Sequence, residues 1–191
     1  ILFDGFESGG LANWNLTSVS GGNNWTAAVT DPFQGTIHAQ SQPSSTLEPA
    51  SIIALNLSTV GYNSLNVSYY RKLVGIDGAD EFLVKWYNGT NWTILEQTGA
   101  GAADDLSYVL RSFLLPTTAN NNVNFQLRFE CTAGAVSEFC RVDNVNISAN
   151  ITDVTPPSLV IVHPANTTYN ATQSAFNFSV SDTNLYSCWY S

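Results

Sequence analysis

The sequence contains no methionine, only two histidines and three cysteines, and very few basic residues. Lysine and arginine together number 6 against 15 aspartates and glutamates, which gives a formal net charge of −9. Without a basic patch to neutralise phosphates, nucleic-acid binding and polybasic contact with a membrane surface are both disfavoured. No run approaches the roughly 18 consecutive apolar residues that span a bilayer, so we expect no membrane span in this chain.

Charged residues make up 11% of the 191 residues, whereas hydrophobic residues make up 44%. The chain is therefore long and apolar enough to bury a sizeable core in one or two domains. Its polar surface must come mostly from uncharged groups, because it contains 20 Asn, 20 Ser and 18 Thr. The start at Ile1 and the lack of methionine favour a processed product, an excised fragment or part of something longer.

Asparagine occurs unusually often in the N-x-[ST] glycosylation sequence. Random placement predicts roughly 4 such sequences, whereas there are eleven: Asn15, Asn24, Asn56, Asn66, Asn88, Asn91, Asn146, Asn150, Asn166, Asn170 and Asn177. Chance occurrence in a β protein rich in Asn and Thr is the alternative. The excess favours glycosylation of several acceptors, a solvent-facing position for them, and an extracellular or cell-surface location.

Two of the three cysteines are placed to form a disulfide. Cys131 and Cys140 flank a glycine-containing loop between two strand-like runs, so they can close it across neighbouring strands. Two free, buried thiols are the alternative. Cys188 is left over, which in an oxidising compartment suggests a partner elsewhere. A zinc site is disfavoured, because this pair with no nearby histidine does not supply four ligands.

Alternating and β-branched runs recur along the whole chain and predict strands throughout. They cover residues 51–55, 64–70, 81–87, 92–96, 107–115, 123–130, 139–147, 158–162 and 176–180. The clearest hairpin joins Glu81–Tyr87 to Trp92–Leu95 through an Asn-Gly turn. No segment has sustained helical periodicity. The spacing of these short strands predicts an all-β protein built as an antiparallel sandwich.

A domain boundary is expected at the proline pair Pro156–Pro157, since two prolines fix an extended, unpaired stretch. We therefore divide the chain into domains at 1–152 and 153–191. The second part offers three strands, which is too few to close a sandwich of about seven. We expect this domain to be incomplete here and to be completed by further sequence or by another chain. Copies of this protein or other surface proteins are then expected partners.

Several segments resemble the opening, the central hairpin and the closing strand of secreted jelly-roll modules. The resemblance is to MAM-like and carbohydrate-binding-module-like β-sandwiches. The segments are Phe3–Gly9 followed by Trp14 and Trp25, Val67–Arg71 with Gly75–Phe82 and Trp86–Trp92, and Arg141–Ile147. This resemblance covers residues 1–148 and implies an antiparallel jelly-roll sandwich.

The remaining residues resemble the first part of an immunoglobulin-like repeat. The segments that carry this are Thr155–Pro157, His163–Pro164, Phe178–Asp182 and Ser187–Tyr190. Such repeats are common in prokaryotic, particularly archaeal, cell-surface glycoproteins. This resemblance implies an incomplete immunoglobulin-like β domain after the sandwich.

The jelly-roll resemblance also implies a structural Ca²⁺ between the first and last strands. Asp4 and Glu7 would offer carboxylates from one end of the module and Asp143 from the other, since Ca²⁺ takes six to eight oxygen ligands. The alternative is that all three are residues of backbone turns. A second acidic loop at 77–81 lacks the spacing of a calcium loop and is disfavoured as a metal site.

Catalytic chemistry has little support in the sequence, so an enzyme is not expected. The adjacent carboxylates Asp104–Asp105 and Asp80–Glu81 point to opposite faces of a strand rather than across a cleft. His38 and His163 lie in different domains and in no catalytic motif. Aromatic residues that could stack on sugars are Trp14, Trp25, Trp86, Tyr87 and Trp92, with core filling as the alternative for each. If Trp86 faces the core, its neighbour Tyr87 is exposed.

The first expected function is a non-catalytic extracellular glycoprotein with a structural or adhesive role, such as a surface-layer or filament subunit. The dense glycosylation sequences, the odd cysteine and the unfinished second domain lead to it. The alternative is a carbohydrate-binding module of a larger secreted protein, with carbohydrate as its partner. A hydrolase is the third hypothesis and has no specific support.

Overall fold

The computed structural model describes residues 1–18, 24–43, 48–99, 101–153 and 156–182. Within these ranges thirteen strands form, and one 3-10 helix spans Thr117–Ala119. The strands are β1 Leu2–Asp4, β2 Asn15–Ser18, β3 Trp25–Ala28, β4 His38–Ser41, β5 Glu48–Leu57, β6 Tyr62–Val74, β7 Glu81–Tyr87, β8 Trp92–Gly99, β9 Val109–Leu114, β10 Phe125–Ala133, β11 Phe139–Ile151, β12 Ser158–His163 and β13 Asn177–Ser181.

Eleven of these strands form a sandwich of two antiparallel sheets. The six-stranded sheet has the order β3-β4-β11-β6-β9, and β1 also pairs with β11. The five-stranded sheet has the order β2-β5-β10-β7-β8. Strands that follow each other along the chain often lie in opposite sheets, as in a jelly roll. The predicted all-β, antiparallel sandwich is confirmed.

Strict alternation of side chains along the central strands builds the core. In β7, Phe82, Val84 and Trp86 are buried, while the residues between them are half-buried on the outside. Burying each large apolar side chain contributes about 1.5–3 kcal/mol. The two sheets meet through aromatic contacts such as the edge-on packing of Tyr69 from β6 against Phe129 from β10, with ring centroids 5.1 Å apart. Trp86 therefore faces the core, and its neighbour Tyr87 points outward as expected.

The first 41 residues contain four strands that the sequence pattern did not predict. β1 to β4 are three or four residues long, which is too short for a clear alternation. β4 buries His38, Ala39 and Ser41, none of which is a strongly apolar residue. Its pairing with β3 on one side and β11 on the other defines it as a strand. Tertiary context, rather than local propensity, determines these elements.

The predicted disulfide between Cys131 and Cys140 is present, with the two Cα atoms 6.2 Å apart. Cys131 lies in β10 of the five-stranded sheet and Cys140 in β11 of the six-stranded sheet. The bond therefore joins the two sheets, and the expectation of a link across neighbouring strands was wrong, because the chain crosses between sheets within this loop. Closing so short a loop contributes about 2–3 kcal/mol in the chain-entropy model. Cys188 lies outside the described residues.

The chain divides into two compact units, Ile1–Ile151 and Thr152–Ser191, one residue before the expected boundary. In the second unit β12 and β13 form a two-stranded antiparallel sheet, and the apolar side chains of residues 159–162 are all more than half exposed. The third strand expected at 186–190 lies outside the described residues. The immunoglobulin-like assignment and its incompleteness stay predictions. In the described part of the chain, no helix has the length and hydrophobicity to cross a membrane.

Candidate functional site

The outer face of the five-stranded sheet carries aromatic, charged and amide side chains in ordered rows. One row across β5, β10, β7 and β8 consists of Asn56, Gln126, Tyr87 and Trp92. The next row consists of Ala54, Arg128, Lys85 and Ile94. Because Leu55, Leu127 and Trp86, which lie between these rows, point into the core, both rows face solvent. We call the surface formed by these eight residues together with Glu130 the open face.

At the β7–β8 edge of the open face lies an aromatic pair combined with a cation. Tyr87 and Trp92 are direct partners across the β7–β8 hairpin, with ring centroids 5.4 Å apart and planes tilted by 44°. The guanidinium carbon of Arg128 lies 3.7 Å from the centroid of the Trp92 ring. A cation over an indole ring contributes about 0.5–1 kcal/mol at an exposed site. The contact also holds the ring in one orientation.

Glu130 connects the cations of the open face to one another. Its carboxylate accepts from Lys85 Nζ at 2.8 Å and from Arg128 at 3.3 Å. Glu130 is buried by these neighbours, although it lies on the outside of the sheet. The face therefore presents donors and acceptors in fixed positions beside two aromatic rings. Such a surface suits a ligand that has both apolar faces and many hydroxyl groups.

The turn between β7 and β8 fixes the aromatic pair. Asn88 Oδ1 accepts hydrogen bonds from the backbone N–H groups of Thr90 and Asn91 at 2.9 and 2.8 Å, which forms an Asx turn. Gly89 has φ = +93°, a conformation that favours glycine. From below, Asn122 Nδ2 donates to the Tyr87 carbonyl at 3.1 Å. The Asn-Gly sequence thus sets the register that places Tyr87 opposite Trp92.

Two of the three expected calcium ligands accept hydrogen bonds from backbone and indole donors. Asp4 is buried, and its two oxygens accept from Phe6 N at 2.8 Å and Trp14 Nε1 at 2.9 Å. Asp143 is fully buried and accepts from the backbone N–H groups of residues 33, 34 and 144. Burial raises the pKa of Asp143, and these hydrogen bonds oppose the rise. Both carboxylates fix turns, as the alternative interpretation describes.

The third expected ligand, Glu7, is held in the same way at the surface. Its Oε1 accepts from the N–H groups of Thr36 and Ile37 at 2.9 and 2.7 Å, and its Oε2 accepts from Thr36 Oγ1 at 2.8 Å. The bond from Ile37 lowers the pKa of Glu7 most. Glu7 and Asp4 also line a cleft of about 340 Å³ with Phe3 and Gln34.

The three carboxylates together accept eight N–H or O–H donors. Each donor uses electron density that a bound cation needs, so this arrangement fits Ca²⁺ poorly. In the described ranges, the one set of three potential ligands within 4.8 Å of one another is a different one, Asp77, Asp80 and Glu138. The calcium site at Asp4, Glu7 and Asp143 stays a prediction.

The set of Asp77, Asp80 and Glu138 differs from the acidic loop seen in the sequence. Glu138 comes from the loop before β11, whereas Glu81 leaves the loop and accepts from Gln97 Nε2 at 2.5 Å. Burial raises the pKa of Asp80 most, and the neighbouring carboxylates of Glu138 and Asp77 raise it further. Glu138 accepts from the backbone N–H groups of residues 134 and 135.

Other buried carboxylates of the sandwich are held by cations. Glu96 lies 2.9 Å from Arg71 Nε and 2.8 Å from Arg111 Nε, and it also accepts from the Tyr69 hydroxyl. Asp105 binds Arg71 at 2.8 Å. These contacts close one open edge between the sheets. Glu96 and Asp105 are therefore paired with cations within the fold.

The five aromatic candidates fall into two groups. Trp14, Trp25 and Trp86 are 5% exposed or less and belong to the core, whereas Tyr87 and Trp92 lie on the open face. Sequence reasoning missed Arg128 and Glu130. Their alternation with Phe125, Leu127 and Phe129 in β10 was the signal that could have placed them beside Tyr87.

Sequence reasoning also missed a second aromatic cluster on the outer face of the six-stranded sheet. Phe33, from the loop between β3 and β4, stacks on Tyr70 with centroids 3.6 Å apart, and Tyr108 lies beside it. Asp31 of the same loop pairs with Lys72 at 2.8 Å and with Arg141 at 2.9 Å. This loop therefore lies against the sheet and covers part of its outer face.

No family model and no curated protein matches this chain. Solved structures do match its fold. A CBM61 carbohydrate-binding module in complex with β-1,4-galactotriose has a TM-score of 0.57 at 10% identity, over 76% of this chain and 94% of that one. The CBM22-1 xylan-binding domain of Paenibacillus barcinonensis Xyn10C has a TM-score of 0.52 at 18% identity, over 80% and 95%.

An adhesin domain is similar to the same extent. The K1 cleaved adhesin domain of Lys-gingipain from Porphyromonas gingivalis W83 has a TM-score of 0.57 at 17% identity, over 78% of this chain and 98% of that one. At such identities these similarities establish a shared β-sandwich fold and nothing more.

Proposed function

We propose that residues 1–151 form an extracellular carbohydrate-binding module whose ligand, a glycan chain, lies across the open face. The observation that carries this proposal is the outward-facing Tyr87–Trp92 pair, which lies beside Arg128, Lys85 and Glu130. Two similar structures are named as a galactotriose complex and a xylan-binding domain, which supports a sugar ligand. The surface-layer or filament role expected first has no comparable support.

The chemistry of the open face matches that of a pyranose. The C–H faces of a sugar ring pack on aromatic rings, which release apolar surface from water at little entropic cost because they have few rotatable bonds. Sugar hydroxyls both donate and accept, so they suit Gln126 and Asn56 at the edge of the aromatic pair. Lys85 and Arg128 share the single Glu130 carboxylate, which leaves one positive charge on the open face. The whole chain has a formal net charge of −9, so a neutral glycan fits better than an acidic one.

The positions of the glycosylation acceptors support the extracellular part of the proposal. All eleven acceptor asparagines lie in the described ranges, and each is exposed or half-buried. A buried acceptor could not carry a glycan in the folded protein. Glycans would also add polar surface to a protein that has few charged residues.

The test is binding of neutral oligosaccharides to the unglycosylated chain, first on an array and then by calorimetry with the best ligand. We expect a defined glycan to bind, and Trp92→Ala to weaken it at least about tenfold, since a stacked ring contributes over 1 kcal/mol. Leu114→Ala is the matched control, because this side chain is 74% exposed on the other sheet. Unchanged binding by the Trp92 variant, or no binding to any glycan, would refute the proposal.

A further inference from the structure

Two glycosylation acceptors flank the aromatic pair of the open face directly. Tyr87 precedes Asn88, and Trp92 follows Asn91, so the four-residue turn carries both acceptors beside both rings. We propose, on the basis of the carbohydrate-binding function above, that Asn88 and Asn91 are glycosylated. The first sugars of these glycans pack on Tyr87 and Trp92 and compete with the external ligand. The turn is then a modification site that regulates the open face.

The hydrogen bonds of the turn leave the correct atom available in Asn88. Its Oδ1 accepts from two backbone N–H groups, so the carbonyl side of the amide holds the turn together. The sugar is attached to the other side, at Nδ2. Asn91 is exposed. By contrast, Asn66 on the six-stranded sheet already donates from Nδ2 to Ser112 Oγ at 3.2 Å.

Attachment requires a lipid-diphosphate-linked oligosaccharide as the co-substrate and a glycosyltransferase of the secretory route. The Asn Nδ2 forms a bond to C1 of the sugar, and the C1–O bond to the diphosphate breaks. The lipid diphosphate leaves with the bonding electrons, and one amide proton is released. The product retains the amide oxygen, so the two hydrogen bonds to Asn88 Oδ1 persist.

The structure around the turn directs the attached sugars toward the aromatic rings. On its inner side the turn meets Asn122, which donates to the Tyr87 carbonyl and lies 3.3 Å from the position that a Cβ on Gly89 would occupy. A sugar ring cannot enter there. On the outer side, Tyr87 and Trp92 are half-buried, and as the chain neighbours of Asn88 and Asn91 they offer apolar surface beside the two acceptors. Packing on them removes this surface from water.

The test uses substitutions that remove the acceptor sequences without changing either asparagine. Thr90→Ala and Thr93→Ala affect exposed side chains, and the backbone N–H of residue 90 still bonds to Asn88. Both chains, wild type and double variant, are made in a secretory host that performs N-glycosylation. Ser68→Ala, which removes the Asn66 acceptor sequence on the other sheet, is the matched control.

The first readout does not depend on any ligand. Glycopeptide mass spectrometry is expected to find sugar on Asn88 and Asn91, and hydroxyl-radical footprinting is expected to oxidise Tyr87 and Trp92 at least about threefold more slowly in wild type than in the double variant. The Ser68 control should match wild type. Empty acceptors at the turn, or equal oxidation rates, would overturn the inference.

The second readout is affinity for the glycan found with unglycosylated protein. We expect the double variant to bind at least about tenfold more tightly than glycosylated wild type. Equal affinity of the two glycosylated preparations would overturn the competition. If unglycosylated protein binds no sugar, the proposed function fails while the footprinting result still decides where the glycans pack.

Discussion

The two outer faces of the sandwich both carry aromatic clusters, but they use them differently. On the six-stranded sheet the protein fills its own cluster, because Phe33 from the 29–36 loop stacks on Tyr70 at 3.6 Å. On the five-stranded sheet the Arg128 guanidinium lies over Trp92, and the Tyr87 ring lies beside it. We call the first surface the closed face. On the closed face, aromatic rings of the chain stack on one another. On the open face, part of the surface of Tyr87 and Trp92 stays exposed to solvent, where a ligand can pack.

The closed face also shows how much polar structure is needed to hold a loop on a sheet. Asp31 joins Lys72 and Arg141, while Asp143 receives two backbone N–H groups from the loop. Arg141 and Asp143 are buried as a result, although both belong to the outside of β11. Carboxylates on this side stabilise the fold, whereas Glu130 on the open face positions cations around an accessible ring.

The largest effect on stability is expected from removing the Asp143 carboxylate, which holds the 29–36 loop on the closed face. Asp143→Ala leaves three N–H donors without their acceptor, and we expect a loss of about 3 kcal/mol in unfolding free energy. Denaturant unfolding measures it, with Asp104→Ala as the control because that exposed carboxylate accepts a single backbone bond. A loss no greater than the control's would mean that the loop is not held by this residue.

A matched pair of truncations sharpens the comparison itself. Phe33→Ala is expected to lower the unfolding free energy by about 1–2 kcal/mol, less than a fully buried Phe because this ring is 39% exposed, and to leave sugar affinity unchanged. Trp92→Ala is expected to cost about 1 kcal/mol or less in stability while weakening sugar binding at least about tenfold. Calorimetry measures the sugar affinity of both variants, and denaturant unfolding measures their stability. Sugar binding that depends on Phe33 would move the site to the closed face.

The sequence was sufficient to predict a strand and its inward face wherever the strand is long and its buried and outward residues alternate regularly. In β7 the inward Trp86 and the outward Tyr87 follow directly from the pattern. The sequence did not predict a strand that is defined by its pairing partners, such as His38–Ser41. It also did not predict a site whose residues come from several strands. Arg128 and Trp92 are far apart in the chain, and only the pairing of β10 with β7 and β8 brings them together.

A smaller effect is expected at Asp80, away from both faces. Burial and the Glu138 carboxylate raise its pKa, so the folded state binds the proton more tightly than the unfolded state. The stability this provides is present below the unfolded pKa near 4 and is lost as the pH rises through the folded value. Asp80→Asn should therefore be more stable than wild type at pH 7.

Unfolding measured between pH 4 and pH 8 checks this expectation, and the advantage of Asp80→Asn should shrink toward the acidic end. Asp104→Asn, at an exposed carboxylate, is the control. A variant less stable than wild type at neutral pH would indicate instead that Asp77, Asp80 and Glu138 together hold a cation.

The smallest effect is expected from removing calcium. The sequence resemblance predicts a structural ion at Asp4, Glu7 and Asp143, but the eight donors on these carboxylates favour the opposite outcome. A site at a hundredfold excess of ion over its Kd would add about 2.7 kcal/mol, or about 5–10 °C in Tm for a module of this size. We expect chelation to shift the Tm by less than about 1 °C. A fall of several degrees that added Ca²⁺ reverses, and that Glu7→Gln abolishes, would restore the calcium site and show that these carboxylates exchange N–H donors for the ion.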